Sequence, residues 1–278
     1  MPLKILIVDA YTANGRKSAL DAGAHTAGLL FERAVRLFEP DAEIDIIEFS
    51  ETDIRPPRPL DAYDGVVWSG SNLTIHRRNP LIDAQIALSQ TAFDKGTPQF
   101  GCCYALQLAT VAAGGDVQAN PKGLEIAWAR DVTLTKQGRA HPMFEGKSGQ
   151  FDALCWHSDT VTELPETADL LAGNDFSSVQ AAILRRGEGE FWATQYHLEF
   201  DGHEVACLVQ AYGPSQIDAG VFTGRDQVDA LTEEMRAVKA LENDPDQTPP
   251  ALEPVASPRV RMAEIGNWLA HLREKPAA

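Results

Sequence analysis

Apolar positions along the chain change rhythm twice. From Lys4 to Val8 a β-branched run ends at Asp9 and predicts a first strand, followed by a polar loop from Ala10 to Gly15. His25 to Phe38 carries Leu29, Leu30, Ala34, Val35 and Leu37 at helical spacing and stops before Pro40. Glu43 to Phe49 alternates as a strand does, Arg55 to Pro59 reads as a loop, and Gly65 to Trp68 is a buried-type strand ending in Ser69-Gly70-Ser71-Asn72. A helix over Leu81–Phe93, a strand over Gln99–Cys102 and a helix over Tyr104–Ala113, closed by Gly114-Gly115, complete the first part. Strands alternating with helices in this way predict an α/β fold with a central, mostly parallel sheet flanked by helices on both faces.

After Gly115 the helices thin out. Val132–Leu134, Ala153–Trp156, Leu170–Ala172, Ala181–Leu184 and Phe191–Tyr196 read as strands with little between them, which predicts an antiparallel extension. A helix follows over His203–Ala211. From Gly213 the character shifts again, so a first domain is expected over residues 1–213 and a C-terminal helical extension, packed on it, over 214–278. That extension comprises a charged helix at Gln227–Leu241, a Pro-rich loop at 243–258, and a helix at Val260–Leu272. Ile265, Trp268 and Leu269 on one face of the last helix call for a docking surface. Between residues 242 and 258 lie five prolines and four acidic residues, so no core-forming element is expected there.

Composition narrows the function class. The chain has 278 residues, 44% hydrophobic and 23% charged, which excludes wholesale disorder and leaves room for a sizeable core. A net charge of −16 argues against nucleic acid and against an anionic membrane surface as partners. There is no apolar stretch long enough to span a bilayer and no signal-peptide pattern, so a cytoplasmic location with reduced thiols is expected. Cys102, Cys103, Cys155 and Cys207 have no metal-site spacing, and no P-loop is present, so neither metal nor nucleotide cofactor is expected.

The sharpest chemical signal is Gln99-Phe100-Gly101-Cys102-Cys103-Tyr104-Ala105-Leu106-Gln107, a strand turning abruptly into a helix at a cysteine. A nucleophile elbow needs small residues two positions either side of its centre. Centring on Cys103 places Gly101 and Ala105 there, whereas centring on Cys102 places the bulky Phe100 and Tyr104. Cys103 is therefore the candidate nucleophile, at a helix N-terminus that favours a thiolate and offers backbone N–H groups to an oxyanion. The plainer alternative is a core cysteine pair beside a tight turn. His197, with Glu199 two residues on, can supply a general base and its orienting carboxylate. His157, in Cys155-Trp156-His157-Ser158-Asp159, is the rival base or a structural histidine. Ser69-Gly70-Ser71-Asn72 is either an oxyanion segment or an ordinary turn.

Taken in order, the glycine-containing segment, the Gly101–Gln107 elbow, the Trp156–Asp159 loop and Gln195-Tyr196-His197-Leu198-Glu199 resemble the class I glutamine amidotransferase domain over about residues 4–212. The resemblance implies a flavodoxin-like fold. It also implies a Cys103–His197–Glu199 triad acting through a γ-glutamyl thioester, and an oxyanion hole from Gly70, Ser71 and Tyr104. Gln107, His157, Ser158 and Asp159 would hold the substrate's amino-acid end. Ala105, Leu198 and Asn72 depart from the family's usual Gly, Pro and Pro. The chain lacks a Ser-Gly-Gly-x-Asp-Ser pyrophosphatase signature and room for an ATP-grasp domain. The expected substrate is glutamine or a γ-glutamyl amide. Three readings stay open: a stand-alone amidase, a glutaminase subunit that passes ammonia to a separate synthetase, and a catalytically silent binding module. The acidic helices after residue 213 are expected to pack on the core edge, cover the site or make a homo-oligomer contact.

Overall fold

Apolar alternation in short strands builds a nine-stranded sheet in the computed structural model, which describes residues 1–242 and 244–274; Asn243 and residues 275–278, where parts of two predicted segments fall, lie outside the described residues. The strands are β1 (Lys4–Asp9), β2 (Glu43–Glu48), β3 (Gly65–Trp68), β4 (Gln99–Cys102), β5 (Asp116–Ala119), β6 (Glu125–Leu134), β7 (Gln150–His157), β8 (Asp159–Glu163), β9 (Asp169–Gly173), β10 (Ala181–Arg186) and β11 (Gly189–Thr194). The helices are α1 (Ala13–Asp21), α2 (Ala27–Phe38), α3 (Pro80–Asp94), α4 (Tyr104–Ala112), α5 (Lys136–Ala140), α6 (Gly202–Asp218), α7 (Arg225–Leu241), α8 (Glu253–Ala256), α9 (Pro258–Arg261) and α10 (Ala263–Glu274).

The sheet order is β2-β1-β3-β4-β11-β10-β9-β6-β7, and β5 pairs β8 separately. The first five are parallel neighbours, and β10, β9, β6 and β7 continue the sheet antiparallel. This is the α/β fold with an antiparallel extension that the rhythm predicts. Side chains two apart on each strand separate into two cores. Ile5, Ile7, Val67, Phe100 and Trp192 face α2 and α10. Leu6, Val8, Val66, Trp68 and Phe191 face α3 and α4. A third core lies between the β6–β7 ribbon and the α6–α7 pair.

Several boundaries differ from the sequence reading. The loop expected over Ala10–Gly15 gives way at Ala13 to α1, whose first turn Thr12 caps by accepting from the Gly15 N–H. The sparse apolar face of this helix hid it. The short strand expected at Val132–Leu134 is only the end of β6, whose early residues alternate in burial but include the polar Glu125. The helix expected to stop at Ala211 runs on to Asp218 through Gly213 and Pro214, so a boundary at residue 213 falls inside a helix. Gly213 is where α7 comes close: a Cβ there would lie 2.5 Å from Val228 Cγ1. The Pro-rich stretch carries α8, where Val255 and Ala256 are 1% exposed, so it does contribute to a core. Trp268 on α10 is fully buried, and a Cβ on Gly65 of β3 would lie 2.6 Å from its ring.

Candidate active site

The carboxyl ends of parallel strands carry the loops in which α/β sheets hold their ligands. Here β1, β3, β4 and β11 deliver Tyr11, the Ser69–Asn72 segment, Cys103 and the Gln195–Glu199 segment to one edge.

Cys103 sits on a sharp turn between β4 and α4 with φ 57° and ψ −110°, a conformation costly for a side-chain-bearing residue. Its N–H donates to the Thr194 carbonyl at 2.7 Å, which ties the elbow to β11. Gly101 makes the turn possible: a Cβ there would lie 2.5 Å from the Ala105 Cβ and 2.6 Å from the Trp68 carbonyl oxygen. The Cys103 Sγ lies 3.6 Å from the Trp156 carbonyl oxygen. Cys102, its neighbour, is buried between sheet and helix, and its Sγ accepts from the Thr194 hydroxyl at 3.3 Å. Burial pushes the Cys102 thiol well above its ordinary range.

His197 and Glu199 lie beyond the end of β11, three and five residues after Thr194, rather than on the strand where alternation would place them on one face. Their side chains nevertheless meet, His197 Nδ1 to Glu199 Oε1 at 2.7 Å, with both residues buried. The His197 N–H donates to the Leu154 carbonyl, and its ring stacks on Phe200 at 3.9 Å. Burial works against a charged ring. The charges of Glu199 and Cys103, with the hydrogen bonds both make to the ring, outweigh it and raise the His197 pKa to about 10. Gly70 closes the other side: a Cβ there would lie 2.8 Å from His197 Cε1 and 3.8 Å from the Cys103 Cβ.

The Ser69–Asn72 segment is held from both ends. Ser71 Oγ donates to the Ala10 carbonyl and accepts from the Leu73 N–H. Asn72 Oδ1 accepts from the Thr12 N–H and hydroxyl, so Asn72 docks the start of α1 onto this segment. A proline at that position would have no such acceptor.

Two clefts open from the thiol, and Ser71, Asn72, Cys103 and Trp156 belong to both. The smaller, about 180 Å³, is walled further by Tyr104, Gln107, His157, Ser158 and Asp159. The larger, about 400 Å³, runs between α1 and α6 past His197. Among the described residues none after Gln216 lines either one, so α7–α10 do not cover the site. His157 has both ring nitrogens engaged, Nε2 with Glu125 Oε2 at 2.6 Å and Nδ1 with the Asp159 carbonyl at 3.0 Å. Glu125 also accepts from Gln180 and Asn174. This buried network was not read from the sequence, because its members lie on separate strands and loops. Asp159 faces His76 at 3.2 Å, and burial above all raises its carboxyl pKa. Asp9 and Arg16 were missed as well. Their buried ion pair, with Asp9 also accepting from the Tyr11 and Gly28 N–H groups, fixes α1 beside the larger cleft.

Away from the thiol, His25, His203 and Glu204 place ligand atoms within 4.8 Å of one another, the group among the described residues that could hold a metal ion. There Glu204 already accepts from the His25 N–H and meets its ring at 2.5 Å. No helix among the described residues is long and apolar enough to cross a membrane.

A thiol on a strained strand–helix turn at the edge of this sheet, facing a carboxylate-bound histidine, defines a class. The sequence profile described as Glutamine amidotransferase class-I matches residues 20–206, and the chain belongs to that family. It is 33% identical, over 97% of its length and 93% of the relative's, to a gamma-glutamyl-L-1-hydroxyisopropylamide hydrolase of Pseudomonas sp. It is 32% identical over 188 residues to a glutamine-hydrolyzing GMP synthase of a Nitratiruptor species, of whose length it spans 32%. A solved glutamine amidotransferase of Thermotoga maritima superposes over 99% of this chain and all of its own with a TM-score of 0.69 at 17% identity, a likeness of fold.

Proposed function

We propose that this protein hydrolyses the γ-amide of glutamine or of a γ-glutamyl amide through Cys103, His197 and Glu199. The observation that carries the reading is the meeting of a strained, cleft-facing Cys103 with a buried His197–Glu199 pair between two open clefts. The near full-length likeness to a γ-glutamyl amide hydrolase supports it. Because His197 has its pKa raised to about 10, it holds a proton at neutral pH, opposite the attacking sulfur. The Cys103 sulfur bonds to the γ-carbonyl carbon, and backbone N–H groups around Gly70, Ser71 and Tyr104 receive the oxyanion. His197 gives its proton to the nitrogen as the C–N bond breaks, leaving a γ-glutamyl thioester and a free amine. Water then adds to the thioester carbon and passes a proton to His197. The C–S bond breaks, and glutamate leaves.

In this reading the smaller cleft seats the glutamyl half, with Gln107, Ser158 and Asp159 around its charged end. His157 belongs to the wall as a structural residue, since Glu125 and the Asp159 carbonyl occupy its nitrogens. Intact mass after incubation with a diazoketone analogue of glutamine, followed by peptide mapping, tests the nucleophile. One adduct on Cys103 is expected, lost in Cys103→Ala and kept in Cys102→Ala. An adduct on Cys102 would overturn the elbow register. No adduct, with no glutamate released from any γ-glutamyl amide, would overturn the hydrolase reading in favour of a partner-dependent or silent module.

A further inference from the structure

We infer, resting on that hydrolase reading, that the larger cleft receives the amine half of the substrate and is built for an amine with an uncharged apolar or aryl body. A substrate whose carbonyl lies at Cys103 must place one half on each side of the sulfur. The smaller cleft offers the polar groups that a free amino acid end needs. The larger is walled by Tyr11, Trp156, Phe200, Leu208 and Tyr212, with Trp156 and Tyr212 rings 5.9 Å apart. Among the described residues its lining contains no Asp, Glu, Lys or Arg.

Size and charge decide the class. Ammonia, the leaving group of glutamine, occupies about the share of one water, roughly 30 Å³, against a cleft of about 400 Å³. A second ammonium on the amine would enter a wall without a carboxylate and lose hydration uncompensated. An alkyl or aryl body gains instead by leaving water against aromatic surface. Tyr11, in this wall, stays protonated, since burial first, and then the charges of Cys103, Glu199 and Asp9, raise its pKa well above the usual value. It supplies a neutral hydroxyl. The cleft is also preformed: Asp9–Arg16 and Asn72–Thr12 fix α1, and α6 is packed from behind by α7. None of the wall residues from α1 or α6 belongs to the motifs around the reacting groups.

The test measures glutamate release from γ-glutamyl benzylamide, γ-glutamyl isopropylamide, glutamine and γ-glutamyl-(4-aminobutyl)amide with the whole protein. The two apolar amides are expected to exceed glutamine and the aminobutyl amide in kcat/KM by at least about tenfold, the order that a well-filled apolar pocket supplies. Leu208→Trp on α6 and Ala19→Phe on α1, each filling the cleft, should lower the benzylamide-to-glutamine ratio by about the same factor. Thermal melts confirm that each variant is folded, and placing them on different helices gives two independent readings. Hydrolysis of glutamine or the aminobutyl amide in preference to both apolar amides overturns this inference and leaves the hydrolase reading standing. So does an unchanged ratio in both folded variants. Release of glutamate from none of the four overturns both.

Discussion

At the scale of single residues, the site depends on a proton held where water cannot replace its partners. His197 titrates near 6.5 in an unfolded chain and at about 10 in the folded protein. A raised folded-state value means that the protonated ring stabilises the fold. That contribution is complete below about 6.5 and is lost as pH climbs through about 10. Thermal stability should therefore decline from pH 7 to pH 10 in the wild type. The decline should be shallower in Glu199→Gln, which removes the largest charge holding the proton. Equal slopes in the two proteins, measured by calorimetry across that window, would show that Glu199 does not set the His197 pKa. The departures from the family pattern also find local reasons. Ala105 is small enough to face Gly101 across the elbow, and Asn72 anchors α1. Nothing in the structure explains Leu198, which is simply buried in the core.

Among elements, the last helix reaches the Gln195–Glu199 segment through a buried carboxylate. Glu264 on α10 lies fully buried against Lys147 Nζ at 2.5 Å, and the hydroxyl of Tyr196, the residue before His197, donates to the same carboxylate. Burial pulls the Lys147 pKa down, and the charge of Glu264 pulls it back up. Removing one member of such a pair strands the other. Glu264→Leu should cost about 3–5 kcal/mol in urea denaturation, and Glu264→Gln, which keeps a hydrogen-bonding oxygen, distinctly less. Equal and small losses in both would mean that the pair contributes no more than a packed apolar contact. The Asp9–Arg16 pair does the corresponding work for α1, whose position sets one wall of the larger cleft.

For the whole molecule, three cores share one sheet, so the C-terminal helices are part of the body that supports the site. Ile265, Trp268 and Leu269 are buried to 1% exposure or less, and burying each contributes about 1.5–3 kcal/mol. Their sum is comparable with the net stability of an ordinary domain. A chain ending at Asp244, which loses α8–α10, should fail to show a cooperative thermal transition and should bind a hydrophobic dye. A sharp melt near the wild-type temperature would show instead that the remaining layers are self-sufficient. The same three helices line neither cleft: α10 closes the face of the sheet opposite α3 and α4, and α8 adds Val255 to the third core beside β7 and α7.

The sequence by itself determined the fold class, because period-2 apolar runs alternating with period-3.6 runs leave few sheet architectures, and it singled out Cys103, His197 and Glu199 as candidates. Gly101 and Ala105 identify the elbow by size alone, whereas a histidine two residues before a glutamate is a weak signal by itself and gains weight only beside the other ordered motifs. Only the tertiary structure decided what depends on residues far apart in the chain. It revealed α1 as a helix held by Asp9, Arg16 and Asn72, and His157 as a residue committed to Glu125 from another strand. It turned part of the Pro-rich stretch into a buried turn of helix. It also brought α1 and α6 together as the walls of a second cleft. Local pattern records how each segment hides its own apolar face. The partners of a buried charge, and the space left between two helices, are properties of contacts that exist only once the sheet has formed.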